Sequence, residues 1–150
     1  MADGIEIKID THEVDEWLTT LEPKVRRRAV RQSLQKGADL ILASMKALCP
    51  VATVEPDSSS NALQPGVLQE SLTTQVQMSK NYNPRVKVGA PIETAHVAWW
   101  IENGFDSFKA KRHIEGKHFM SGAFDESSNP AVDAMLADLG EALNDSKGEA

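Results

Sequence analysis

Between Glu22-Pro23 and Cys49-Pro50 the apolar residues Val30, Leu34, Ala38, Ile41, Met45 and Leu48 recur at spacings of three and four. That period lays one apolar stripe along a helix of about seven turns, and the two prolines set its limits. Proline disfavours helix in the residue before it yet suits the first helical position, so the helix starts near Pro23 and stops at Cys49-Pro50. Such a stripe has to be buried, and other segments of the chain must cover it.

Several segments qualify. Ile5-Glu6-Ile7-Lys8-Ile9 alternates apolar and charged side chains, the pattern of a half-buried strand. Asp10 or Thr11 caps a short helix through Trp17, Leu18 and Leu21, which Glu22-Pro23 breaks. Residues 51–65 hold two prolines and the run Ser58-Ser59-Ser60-Asn61 without periodicity, and read as a long exposed loop. Gly66 to Leu72 fits one helical turn. Thr74-x-Val76-x-Met78 and Arg85-Val86-Lys87-Val88 then alternate like the two arms of a hairpin around Asn81-Tyr82-Asn83-Pro84. His96 to Asn103 fits helix and strand equally. The polar, basic stretch 104–117, in which Phe105 and Phe108 are stranded, reads as a second long loop.

Helical spacing returns with Phe119, Ala123 and Phe124 and continues through Val132, Met135, Leu136, Leu139 and Leu143. Pro130 is expected to kink or restart that helix, and the acidic tail 145–150 to fray. The expectation is a single α+β domain over residues 1–150. Its small, mostly antiparallel sheet packs against a long helix in the N-terminal half and a C-terminal helix, with long loops at 51–65 and 104–117.

Composition narrows the function. At 41% hydrophobic and 25% charged residues the chain has globular usage. Its net charge of -6 argues against a surface built as a whole for nucleic acid. Cys49 is the only cysteine, which excludes an internal disulfide and a CxxC zinc site. The first 20 residues carry acids without a signal-type apolar core, and no apolar run approaches the ~20 residues of a membrane span. Synthesis inside the cell and no membrane contact are therefore expected.

Chemistry is sparse. His12, His96, His113 and His118 lie on separate segments, and the spacing of His113 and His118 does not put them on one helical face as zinc ligands. Cys49 ends the apolar stripe as a small hydrophobe, with no cue for an activating base. The acids stand singly, and neither GxGxxG nor GxxxxGK[ST] occurs. No catalytic, cofactor-binding or metal-ligating set is expected, and no cofactor.

Binding features are clearer. Arg26, Arg27, Arg28 and Arg31 wind around more than one face at the start of the long helix, fit to meet DNA phosphates, an acidic partner or this chain's own acids. Trp99 and Trp100 cannot both enter one small core, so one belongs to the core and the other to a covering loop or a subunit contact. With Glu102, Phe105 and Phe108 these residues form the expected interface set.

The order of segments carries a resemblance. Lys46-Ala47-Leu48-Cys49-Pro50-Val51 is followed by Gly66-Val67-Leu68-Gln69-Glu70-Ser71 and Val86-Lys87-Val88-Gly89. Val97-Ala98-Trp99-Trp100-Ile101-Glu102-Asn103-Gly104 and His118-Phe119-Met120-Ser121-Gly122-Ala123-Phe124-Asp125 complete it. Over roughly residues 25–145 this is similar to the gene-product-ten-like tail-component family of long-tailed bacteriophages, the head-tail joining or tail-completion proteins. That family's pattern runs Ala-Pro-Val-x-Thr-Gly-x-Leu-x-x-Ser, Val-Gly, Tyr-Ala-x-x-Val-Glu-x-Gly-Thr and Pro-Phe-Met-Arg-Pro-Ala. Here Thr53 and Gly66 are split by the serine-rich loop, Val97 stands for the tyrosine, Phe105 for the threonine and Ser121-Gly122 for Arg-Pro.

The resemblance implies a virion protein of the phage neck without enzymatic activity, made in the bacterial cytoplasm. It would form a homo-oligomeric ring, a hexamer, that joins tail to head. Its neighbours would be the head-closure or stopper protein, the tail terminator and the tail tube, with packaged DNA an incidental contact. A tail terminator or head-closure ring is the nearest alternative, and a small phage hydrolase using Cys49 or the histidines a more remote one.

Overall fold

The stripe is realised as α1 (Pro23–Leu48), whose Ala38, Ile41 and Met45 are fully buried. The computed structural model describes residues 5–6, 23–51, 65–78, 84–108 and 111–148, so the expected short helix at 10–21 and nearly all of the 51–65 loop lie outside the described residues. One position differs from the expected stripe. Leu48 is exposed and Cys49 is buried in its stead, because a step of four from Met45, not three, returns the chain to the inward face. The end of α1 is closed twice: the Cys49 N–H donates to the Met45 carbonyl at 2.9 Å, and the Gln69 amide donates to the Lys46 carbonyl at 2.7 Å.

Gln69 belongs to α2 (Val67–Ser71), a single turn entered through Gly66 at φ 84°, where the absence of a Cβ permits the left-handed conformation. The chain then forms β2 (Thr73–Gln77) and β3 (Arg85–Gly89), paired antiparallel from Thr73↔Gly89 to Gln77↔Arg85. β1 (Ile5–Glu6) pairs antiparallel on the other side of β3, so the sheet order is β1-β3-β2. Alternation along β3 buries Val86 and Val88 and exposes Lys87. Both β2 and β3 contact α1.

α3 (Ile92–Asn103) settles the ambiguous segment as helix. Its buried row is Thr94, Ala98 and Glu102, one residue every four. At Gly104 the chain turns into β4 (Gly104–Ser107), which pairs with β5 (Arg112–Glu115) in the register Phe105↔Ile114 and Asp106↔His113. The stretch expected as a long loop is thus mostly a two-stranded hairpin. Both strands are short and neither enters the core, so no run of alternating apolar residues marks them. The apolar Phe105-Ile114 pair and a 2.8 Å contact between Asp106 Oδ1 and His113 Nδ1 join them instead.

α4 (Phe119–Gly148) runs unbroken past Pro130 and takes in residues 145–148 of the tail expected to fray. Pro130 is exposed, so the one helical hydrogen bond it removes, to the Glu126 carbonyl, is lost at the solvent side. The buried row on α4 is Phe119, Ala123, Ser127, Ala131, Met135 and Leu139. Its main partner is α1, and it also contacts α3 and β1. The Ser33 hydroxyl donates to the Met135 carbonyl at 2.6 Å in the buried seam between α1 and α4. Gly37 lets the two helices approach, since a Cβ there would overlap the Met135 side chain. The chain is therefore α+β: two long helices against a three-stranded antiparallel sheet, with a shorter helix and a hairpin at one end.

Candidate functional site

The expected interface residues divide into three environments. Glu102 is inside. It is 8% exposed, at the last turn of α3, and its carboxylate accepts from the Met120 N–H at 2.8 Å and the Ser121 N–H at 3.1 Å. The Ser121 hydroxyl donates to the same carboxylate. These amides belong to the first turn of α4, where helical N–H groups have no partner within the helix and the dipole favours negative charge. Glu102 is thus an N-terminal cap supplied from another helix, a structural role that its place in the expected interface set did not include.

The backbone around that cap is equally constrained. The Lys117 and His118 N–H groups donate to the Ile101 and Glu102 carbonyls at 2.7 and 3.2 Å. A Cβ at Gly116 would fall on the Glu102 carbonyl oxygen, and Gly104 sits at φ 85° against the Ile114 carbonyl. Glycine is required at both places, and the two ends of the hairpin are clamped to the end of α3.

The aromatic residues lie outside this clamp. Trp99 and Trp100 are 50% and 45% exposed, so neither indole belongs to the core, contrary to the expectation of one inside and one out. The physical reason is the row Thr94, Ala98 and Glu102, which occupies the inward face of α3 and leaves the indoles beside it. Successive helical residues diverge by about 100°, and the two rings meet different surroundings. Trp99 lines a groove of about 460 Å³ with Val88, Ala90, Ile92 and Ala95. Trp100 packs on Phe105 of β4 with ring centres 5.8 Å apart, and stands perpendicular to the His96 ring with centres 5.4 Å apart. Phe108, at the hairpin turn, is 95% exposed. Ile92, which the sequence reading passed over, is 84% exposed; its place after Pro91, at the mouth of α3, was the available signal.

The arginines form a separate patch. Arg27, Arg28 and Arg31 are exposed on the first turns of α1, and Arg26 is half-buried. The Arg27 guanidinium donates to the Met78 carbonyl at 3.5 Å, next to the end of β2. The groove borders the other end of β2, at Thr73. Five residues of strand, at ~3.3 Å each, separate the two patches by roughly 17 Å.

Elsewhere the chemistry is quiet. Burial pushes the Cys49 thiol up from its ordinary range, and its contact is the Pro50 carbonyl at 3.8 Å, so at neutral pH it is a protonated, weakly nucleophilic group. Among the described residues no three histidine, cysteine or acidic side chains converge as metal ligands, and no helix is long and apolar enough to cross a membrane. In comparisons with known protein families, curated proteins and solved structures, the chain matches none.

Proposed function

We propose that this chain is a structural protein of a long-tailed phage's neck, a ring-forming subunit of the tail-completion or head-tail connector kind. The observation that carries the reading is the aromatic band formed by Ile92, Trp99, Trp100, Phe105 and Phe108 across α3 and the β4–β5 hairpin. Aromatic residues are enriched at protein contacts, and here four of them and Ile92 are exposed on α3 and the hairpin. The clamp at Glu102, Gly104 and Gly116 supports the same reading, because it presents the band on a fixed backbone and keeps the ordering cost of association low. The order of the sequence segments directs the contact toward the phage neck.

The test is assembly. Light scattering and negative-stain images of the purified chain are expected to give a closed ring, and the chain is expected to copurify with tail or portal components. A chain that remains monomeric at every concentration and sediments with none of those components rules the proposal out. Trp100→Ser is expected to lower ring yield at least tenfold while leaving the circular dichroism spectrum unchanged.

A further inference from the structure

Charge is sorted between the two long helices. α1 carries Lys24, Arg26, Arg27, Arg28, Arg31 and Lys36 before its first acid, Asp39. α4 carries Asp125, Glu126, Asp133, Asp138, Glu141 and Asp145 before its first cation, Lys147. Like charges one turn apart on a helix repel, so each run is a burden on its own helix and calls for opposite charge elsewhere. Part of that demand is met within the chain, where Lys36 Nζ lies 2.5 Å from Asp138 Oδ1.

Three arginines and three acids point away from that seam. Ser33 faces α4, since its hydroxyl reaches the Met135 carbonyl. At about 100° per residue, Arg27, Arg28 and Arg31 stand roughly 120–160° around α1 from Ser33, on the side away from α4. All three are exposed, and Arg27 reaches to Met78 beside β2. On α4, Asp133 and Glu141 each stand two residues from a buried member of the row, Met135 and Leu139, and so roughly 160° around the helix from it. Asp133, Ala137, Glu141 and Asp145 are exposed along that outer side at steps of four. With packed helix axes about 8–10 Å apart, the cationic and acidic faces look out from opposite sides of the pair.

We infer that the arginine face of α1 in one copy docks on the outer acidic face of α4 in the next, with Arg27 and Arg31 opposite Glu141 and Asp145. This rests on the reading of the chain as a ring-forming subunit and specifies one of its contacts. Spacing favours the pairing, because both pairs are four residues apart, about 6 Å along their helices. Symmetry favours it too. Two complementary faces on different surfaces of one subunit make a head-to-tail contact that repeats until the ring closes. The single sign of each face also rejects α1 on α1 and α4 on α4, since like charges brought together across an interface oppose association.

The experiment reverses each face in the full chain. One copy carries Arg27→Glu, Arg28→Glu and Arg31→Glu, and the other Asp133→Lys, Glu141→Lys and Asp145→Lys. Either copy alone is expected to associate about tenfold more weakly than the native chain in sedimentation velocity, with unchanged thermal unfolding. An equimolar mixture is expected to recover native association, because the reversed α1 of one copy now matches the reversed α4 of the other in both directions.

Native association of either reversed copy alone overturns the docking assignment and leaves the ring reading standing. A mixture that stays dissociated, although each copy is folded and defective, overturns it as well. If the arginine-reversed copy assembles normally but loses affinity for a short labelled DNA duplex, the arginine face belongs to phosphates and the assignment falls. A native chain that never associates removes both readings. Glu141 also favours the charged form of Lys36; if Glu141→Lys lowers thermal stability, a copy with Asp133→Lys and Asp145→Lys alone takes its place, with the same outcomes.

Discussion

Glu102 concentrates several demands in one side chain. Its two oxygens accept from the backbone of Met120 and Ser121 and from the Ser121 hydroxyl at the start of α4. Truncation leaves part-buried amide donors without this partner, and charge-assisted bonds of this kind are worth about 1.5–3 kcal/mol each. Glu102→Ala is expected to cost about 3 kcal/mol in urea unfolding, and Glu102→Gln, which keeps one acceptor oxygen, about half of that. An equal loss for both would mean that charge alone matters at this position. Cys49 gives a prediction with a pH sign. Burial raises its folded pKa above the ordinary thiol value of 9.0. The unfolded chain therefore releases this proton first, so its contribution is intact below about pH 9 and is lost as pH rises through the folded pKa. Stability is expected to decline in that alkaline window, and Cys49→Ala to flatten the decline. Iodoacetamide is expected to label the native thiol far more slowly than the unfolded one at pH 8.

The elements differ in how far they could be read from residues alone. α1 was legible because its apolar residues follow the helical period between two prolines. β2 and β3 were legible because Val76, Val86 and Val88 alternate with polar neighbours. α3 was not, because its inward row of Thr94, Ala98 and Glu102 mixes a hydroxyl, a methyl and a carboxylate, and the largest apolar residues lie outside that row. The hairpin escaped for a related reason: it rests on the end of α3 through Gly104 and Gly116 and brings little apolar surface of its own. Of the expected interface set, the aromatic members are exposed as a contact requires, while Glu102 turned inward because its hydrogen-bond partners lie 18 and 19 residues further along the chain. Between elements, the α1-α4 seam makes the sharpest prediction. Gly37→Val adds bulk where the Met135 side chain already sits. It is expected to destabilise the fold by about 1–3 kcal/mol, read as a lowered urea midpoint, despite the better helix propensity of valine over glycine.

At the scale of the molecule, Arg27 and the groove lined by Trp99 lie toward opposite ends of β2, which suits contacts with two different neighbours. Reversing Arg27, Arg28 and Arg31 to glutamate is expected to weaken ring assembly or joining about tenfold, a change of ~1.4 kcal/mol, with the melting temperature unchanged. Full assembly at physiological salt by that triple variant would remove the patch from the interface. The buried row of α4 has a consequence of another kind. It recurs every four residues from Phe119 to Leu139, whereas a helical turn takes about 3.6, so each step drifts by about 40° and the row winds around the rod like a screw thread. Over its five steps the row turns by roughly 200°, so α4 cannot keep one neighbour along its length: it meets α1 chiefly, and α3 and β1 besides, and one continuous helix ties the three together.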